Sequence, residues 1–109
     1  MGVIAASSQR FLKAQEGLDL VLAPTLPMAG FAAELPGPVP GVPLGHTGYT
    51  ALFNQTGQPA ATVGWGLDPT GLPIGVQVAG PRFADRLVLR IAAFLETARP
   101  APLRWPVIR

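Results

Sequence analysis

Apolar residues recur along this chain in blocks whose spacing changes, and each change marks an element. Over about 3–16, Ile4, Phe11 and Leu12 recur at helical spacing, with Gln9, Arg10, Lys13 and Glu16 on the other side. Gly17 stands where a helix stops. Leu18 to Ala23 is a short apolar run closed by Pro24, the pattern of a buried strand. A short helical segment follows at about 49–55, anchored by Leu52 and Phe53 and ended by Gly57 and Pro59. Ala60 to Trp65 reads as a strand, and Asp68-Pro69-Thr70-Gly71 as a turn. Pro73 to Ala79 alternates: Ile74, Val76 and Val78 point one way, Gly75, Gln77 and Ala79 the other. That second face is nearly flat, so a helix or another backbone can approach it closely. The last helix, at about 84–98, carries an apolar stripe of Leu87, Ile91, Phe94, Leu95 and Ala98. Asp85 suits its positive end and Arg99 its negative end, and Pro100 and Pro102 stop it.

Residues 24–48 break these patterns. Six prolines (24, 27, 36, 38, 40 and 43) lie among five glycines, and each proline fixes φ and removes a donor. The stretch therefore reads as one long loop. Loops of this length are uncommon in compact domains and are often functional or short of a partner. Pro40 to Pro43 has the PxxP form, but no arginine flanks it, and a surface loop accounts for it better. The tail, 100–109, reads as extended. The order helix, strand, loop, helix, strand, strand, helix predicts an α/β fold: a partial mixed sheet of about three strands flanked by helices, in one domain over 1–109. A sheet that small has two open edges, which natural domains cover or pair.

Composition sharpens that picture. A chain of 109 residues buries roughly two thirds of its unfolded surface, enough for a modest core. Yet 49% of it is hydrophobic, only 13% is charged, and the mean hydropathy is +0.36. Ordinary domains carry about 25% charged residues. Some of the apolar surface is therefore expected to lie against something else. The net charge of +2 comes from basic residues spread along the chain, which is no nucleic-acid footprint. The absence of cysteine excludes disulfides and thiolate sites, and His46, the one histidine, cannot build a histidine-rich metal cluster, so no metal or cofactor is expected. No leader pattern precedes the first helix, and the apolar stretch from Leu18 to Ala33 is interrupted by prolines and too short to span a bilayer. A cytoplasmic protein without a membrane contact is the expectation.

Few residues offer chemistry. Ser7 and Ser8 adjoin each other near Lys13, but no glycine surrounds them, and five residues on a helix do not bring Ser8 and Lys13 onto one face. A solvated helix explains all three. His46 could act as a base, but no spacing specifies a hydroxyl or thiol partner for it. No catalytic residue is assigned.

Three segments, in order, resemble the amidase-signature family. Leu18-Asp19-Leu20-Val21-Leu22-Ala23-Pro24-Thr25-Leu26-Pro27 resembles that family's strand ending in Pro-Thr-x-Pro. Asn54-Gln55-Thr56-Gly57-Gln58-Pro59 is similar to its Asn-x-Thr/Ala-Gly-x-Pro signature, and Gly71 to Gly80 resembles its Gly-Leu-Pro-[IV]-Gly-[VI]-Gln-[LV]-x-Gly run. The resemblance covers about residues 8–98 and implies a C-terminal segment of the amidase-signature fold. It also implies hydrolysis of amide bonds through a Ser–Ser–Lys triad, whose glycine- and serine-rich segment and lysine belong to the family's N-terminal half and have no counterpart here. Within the motif, Asn54, Thr56, Gly57, Pro59, Gly75, Gln77 and Gly80 read as structural. Glutamine-using members carry an acidic residue seven positions before the Asn; Thr47 stands there, which argues against glutamine as substrate. Thr47, Tyr49 and Phe53 are the candidate substrate-pocket residues.

Two readings follow. In the first, the chain is part of a hydrolase, inactive alone, whose partners are an N-terminal amidase half or a second copy through exposed sheet edges. In the second, it is a non-catalytic folded remnant or partner-binding module. A monomer that melts cooperatively favours the second; exposed apolar surface or self-association favours the first.

Overall fold

Helix α1 (Val3–Ala14) forms where the helical spacing places it, and it ends two residues early. The Gln15 and Glu16 amides bond back to Leu12 and Lys13, and Gly17 then turns the chain at φ 82°. The structure, a computed structural model, describes residues 2–108. Strand β1 (Val21–Pro24) follows, then the long loop, whose last turn is a single 3₁₀ turn at Gly45–Thr47. Helix α2 (Ala51–Thr56) ends at Gly57 in the left-handed region, φ 70°, an exit that glycine makes without strain. Strands β2 (Ala60–Leu67) and β3 (Pro73–Ala79) form a hairpin, and helix α3 (Asp85–Ala98) closes the order.

The strand order is β1-β3-β2, and every neighbouring pair is antiparallel. The expected mixed sheet is thus antiparallel among the described residues. The reason is topological: β3, the last strand, lies between β1 and β2 and runs against both. Asp68 organises the hairpin turn, its carboxylate accepting from the Thr70 amide at 2.8 Å, the Thr70 hydroxyl at 2.7 Å and the Leu72 amide at 2.9 Å. The register slips between Gly64 and Gly66, leaving Trp65 as the bulged residue.

Val76 and Val78 share the face on which α3 packs, where Val88 meets Gly80 so tightly that an added Cβ would stand 2.9 Å from Val88 Cγ2. Here the expected α3 stripe is corrected in part: Ile91 and Leu95 are half-buried as expected, but Leu87, Phe94 and Ala98 are exposed. Val88, 2% exposed, is the buried centre, whereas Leu87 is 39% and Phe94 63% exposed. α3 is apolar on two flanks, and the sheet takes only one.

Within the loop, Pro40 and Pro43 bracket a tight turn, with the Val42 amide on the Val39 carbonyl and Gly41 at φ 79°. That is not the extended polyproline form a PxxP ligand needs. The buried hydrophobic residues are few (Phe53, Val63, Val78, Ala79 and Val88), and the radius of gyration is 15.8 Å, against about 13 Å for a compact domain of this length. Extents of 50 × 38 × 20 Å describe a slab. No described helix is long and apolar enough to cross a membrane.

Candidate functional site

On the other sheet face, β3 presents Gly75, Gln77 and Ala79. At Gly75 the lack of a side chain is required: a Cβ would lie 2.7 Å from Thr25 Oγ1 and 2.9 Å from Thr62 Cγ2. The Thr25 hydroxyl donates to Thr62 Oγ1 at 3.3 Å, so two hydroxyls meet across the central strand. Around them opens a groove of about 490 Å³, walled by Pro24, Leu26, Pro27 and Met28 together with Pro73 and Ile74. Its walls are mostly apolar, as small-molecule sites are.

Two residues along the same face, buried Gln77 donates its side-chain amide to the Tyr49 carbonyl at 2.8 Å. This bond brings the segment before α2 onto the sheet. Thr47 sits in the 3₁₀ turn, its hydroxyl donating to the Leu44 carbonyl at 2.8 Å, while Tyr49 is 45% exposed. Phe53 is 4% exposed and meets Phe11 edge-to-face at 5.2 Å, joining α1 to α2 as a core pair. Thr47, Tyr49 and Phe53 are not among the residues lining the groove.

The motif residues fall in two groups. Asn54 is exposed on α2, and Pro59 follows the helix exit, its carbonyl accepting from the Gly80 amide at 3.1 Å. Thr56 is buried and donates to Gln58 Oε1 at 2.8 Å. Gln58 donates in turn to the Gly80 carbonyl at 3.1 Å and to Gln15 Oε1 at 2.9 Å. One buried amide therefore ties α1, the end of α2 and the end of β3. Sequence reasoning passed over Gln58 and Gln15. A glutamine between a helix-ending glycine and a proline was the available signal, since a polar side chain there has to find partners if it is buried.

Chemically, the described residues offer hydroxyls without a base. The Ser8 hydroxyl faces Gln55 Oε1 at 3.5 Å, and Ser7 and Lys13 are exposed on α1. The His46 ring lies tilted against Phe31, centroids 5.1 Å apart, with its Nδ1 buried and unpartnered. Among the described residues, no hydrogen bond joins a Ser or Thr hydroxyl to a lysine or histidine. The Asp68 carboxyl is held below the usual aspartate range, first by the Thr70 hydroxyl and then by the Leu72 amide, and so is occupied by its own turn. No cluster of three metal-ligating side chains occurs among the described residues.

Known proteins resemble this chain in sequence and in fold. A family model described as Amidase matches residues 2–89. A glutamyl-tRNA(Gln) amidotransferase polypeptide of Granulibacter bethesdensis is 34% identical over 96 residues, 88% of this chain and 19% of that one. The solved structure of the like-named polypeptide from Thermotoga maritima superposes with a TM-score of 0.74 at 34% identity, covering 90% of this chain and 21% of its own. A bacterial aryl acylamidase of the amidase signature family gives a TM-score of 0.74 at 32% identity over 90% of this chain and 22% of its own. The chain spans 13% to 23% of the lengths of the relatives it matches.

Proposed function

The chain belongs to the amidase family, and on that premise we propose that it is the C-terminal part of an amidase-signature hydrolase acting on carbon–nitrogen bonds, without turnover of its own. The observation that carries this reading is the state of its hydroxyls. An amide carbonyl is attacked by a hydroxyl only when a base takes the proton, and here Ser8 faces a glutamine while Thr25 and Thr62 face each other. The nucleophile and its base are then supplied by the larger part of the fold.

In this reading the chain contributes a wall to the site. Gly75 keeps the sheet face low beneath Thr25 and Thr62, and Gln77 fixes Tyr49 beside it. Thr47 and Tyr49, outside the groove lining, are read as substrate contacts on the family resemblance alone, and Phe53 supports them from the core. Thr47, where an acidic residue would suit a glutamine, favours a less polar amide.

The test is an amide-hydrolysis assay on aryl anilides and on glutamine. It compares the chain alone with the chain fused behind the larger part of the aryl acylamidase, in place of that enzyme's own matching segment. The expected result is turnover of the anilide by the fusion only. Turnover by the chain alone overturns the inactive reading; an inactive fusion of correct fold overturns the assignment of hydrolysis.

A further inference from the structure

The tail after α3 changes faces. Helix α3 packs on the face of Val76 and Val78, yet Leu103 meets Gly64, whose side-chain direction is the opposite face, shared with Thr62 and Gly75. The Arg99 guanidinium donates to the Gly64 carbonyl at 3.3 Å and fixes where the crossing starts. Pro100 and Pro102 keep the helix from continuing, and four extended residues reach up to about 13 Å, enough to round a strand. A Cβ at Gly64 would collide with Leu103 Cδ1, so the glycine is what admits the leucine. The tail lies beyond residues 2–89, so the family match does not account for this contact.

Gly64 belongs to the groove of about 490 Å³. Across the strand order β1-β3-β2, the groove floor runs from Thr25 over Gly75 to Thr62 and Gly64. Leu26, Pro27 and Met28 rise on the β1 side, and Leu103 stands over Gly64 on the β2 side. Between these apolar side chains the Thr25–Thr62 pair is a polar point: one bond between two hydroxyls leaves one proton free to donate. Asp68, which also lines the groove, is taken up by its own turn. The lining therefore matches an apolar group that carries one acceptor, which describes a hydrophobic amide.

We infer that Leu103 is a specificity-determining residue, limiting how far the apolar arm of an amide substrate extends across the groove from the Thr25 and Thr62 hydroxyls. The inference rests on the hydrolase reading and deepens it by naming the substrate class, a carboxamide whose apolar arm has a bounded length. One methylene in an apolar pocket changes discrimination by about 10–200-fold, so a single leucine at the border is enough to set a preference.

The test uses the fused form and two sets of anilides. One set lengthens the acyl side (acetyl, butyryl, hexanoyl and octanoyl nitroanilides); the other lengthens a para-alkyl chain on the amine side. Expected is a KM that rises steeply beyond one length in one of the sets. Leu103→Ala moves that limit to a longer member and lowers its KM about tenfold or more, with kcat on the acetyl member little changed. Leu103→Phe moves the limit to a shorter member. Trp105→Ala, in the same tail but 92% exposed, leaves it in place. A general loss of packing would instead lower kcat at every length and move no limit. Leu103→Val, a milder truncation, repeats the shift of Leu103→Ala and decides the case in which the alanine variant does not fold. Amide NMR of the full chain alone, titrated with the octanoyl anilide, reads the same groove without turnover: Thr62, Gly64 and Gly75 shift, and Leu103→Ala tightens binding. The inference is overturned if an active fusion keeps one length dependence with and without the Leu103 substitutions, if Trp105→Ala moves the limit as far, or if the ligand shifts only residues outside the groove. An inactive fusion whose chain still binds the anilide at these residues, more tightly with Leu103→Ala, upholds Leu103 as the limit of the groove while sinking the proposed hydrolysis.

Discussion

The Gln77 side-chain amide lies 2.8 Å from the Tyr49 carbonyl, and this one bond joins the central strand to a segment 28 residues away. Among the described residues, the other hydrogen bonds of the 3₁₀ turn at Gly45–Thr47 are local. Gln77→Leu fills much the same volume and leaves the carbonyl without its donor, a cost of about 1 kcal/mol since Tyr49 remains open to water. The expected result is faster hydrogen exchange over 45–50 with β2 and β3 little changed. Unaltered exchange there would show that the bond does not hold the segment.

Gly75→Ala places a methyl against Thr25 Oγ1 and Thr62 Cγ2, at distances that no settled packing shows. Overpacking of this kind costs about 1–3 kcal/mol. Thr62→Ser deletes the offending methyl, so the double variant should recover part of the loss. Urea melts of the fused form, compared by their midpoints, check both expectations. Additive losses would mean that the two sites do not meet.

Gln58→Leu removes the amide shared by Thr56, Gln15 and Gly80. Gln58 is 8% exposed and its partners Thr56 and Gly80 are left buried, so the expected loss is about 2–3 kcal/mol. Gln15→Ala should cost less, because Gln15 is only half-buried and water can replace it. Denaturant midpoints for the two variants decide the order; a larger loss at Gln15 contradicts the placement of Gln58 at the centre.

The carboxyl of Asp68 titrates below its usual range because the Thr70 hydroxyl and the Leu72 and Thr70 amides favour its charged form. A depressed pKa means that its contribution is fully present above the ordinary value of about 3.9 and is lost as pH falls through the lower folded value. The stability difference between wild type and Asp68→Asn should therefore be constant near neutrality and shrink only at strongly acid pH. Carboxyl NMR titration of Asp68 is the direct check. A midpoint at or above the ordinary value refutes the turn's electrostatics.

Local signals in this chain carried a large share of the structure. Alternation over Pro73–Ala79 marks β3 with its observed limits, Asp68 to Gly71 makes the turn it spells, and Gly57 exits α2 in the left-handed region that glycine permits. These features depend on backbone conformation and nearest neighbours, which sequence encodes directly. The family, too, was legible, because its motif residues sit at the turn, the helix exit and the close approach at Gly75.

Tertiary structure alone decided the rest. Periodicity states that α3 is apolar but not which of its two flanks meets the sheet, and Val88, not Leu87, turned inward because Gly80 leaves room for it. Phe53 reads equally as a pocket wall or a core ring until Phe11 is seen beside it. Gln58 acquires its role only when residues 15, 56 and 80 converge on it. That Leu103 packs over Gly64 and Arg99 reaches the Gly64 carbonyl depends on where the chain returns, far along from β2. Contacts between distant segments are set by how faces fit in space, and no run of neighbouring residues contains that information.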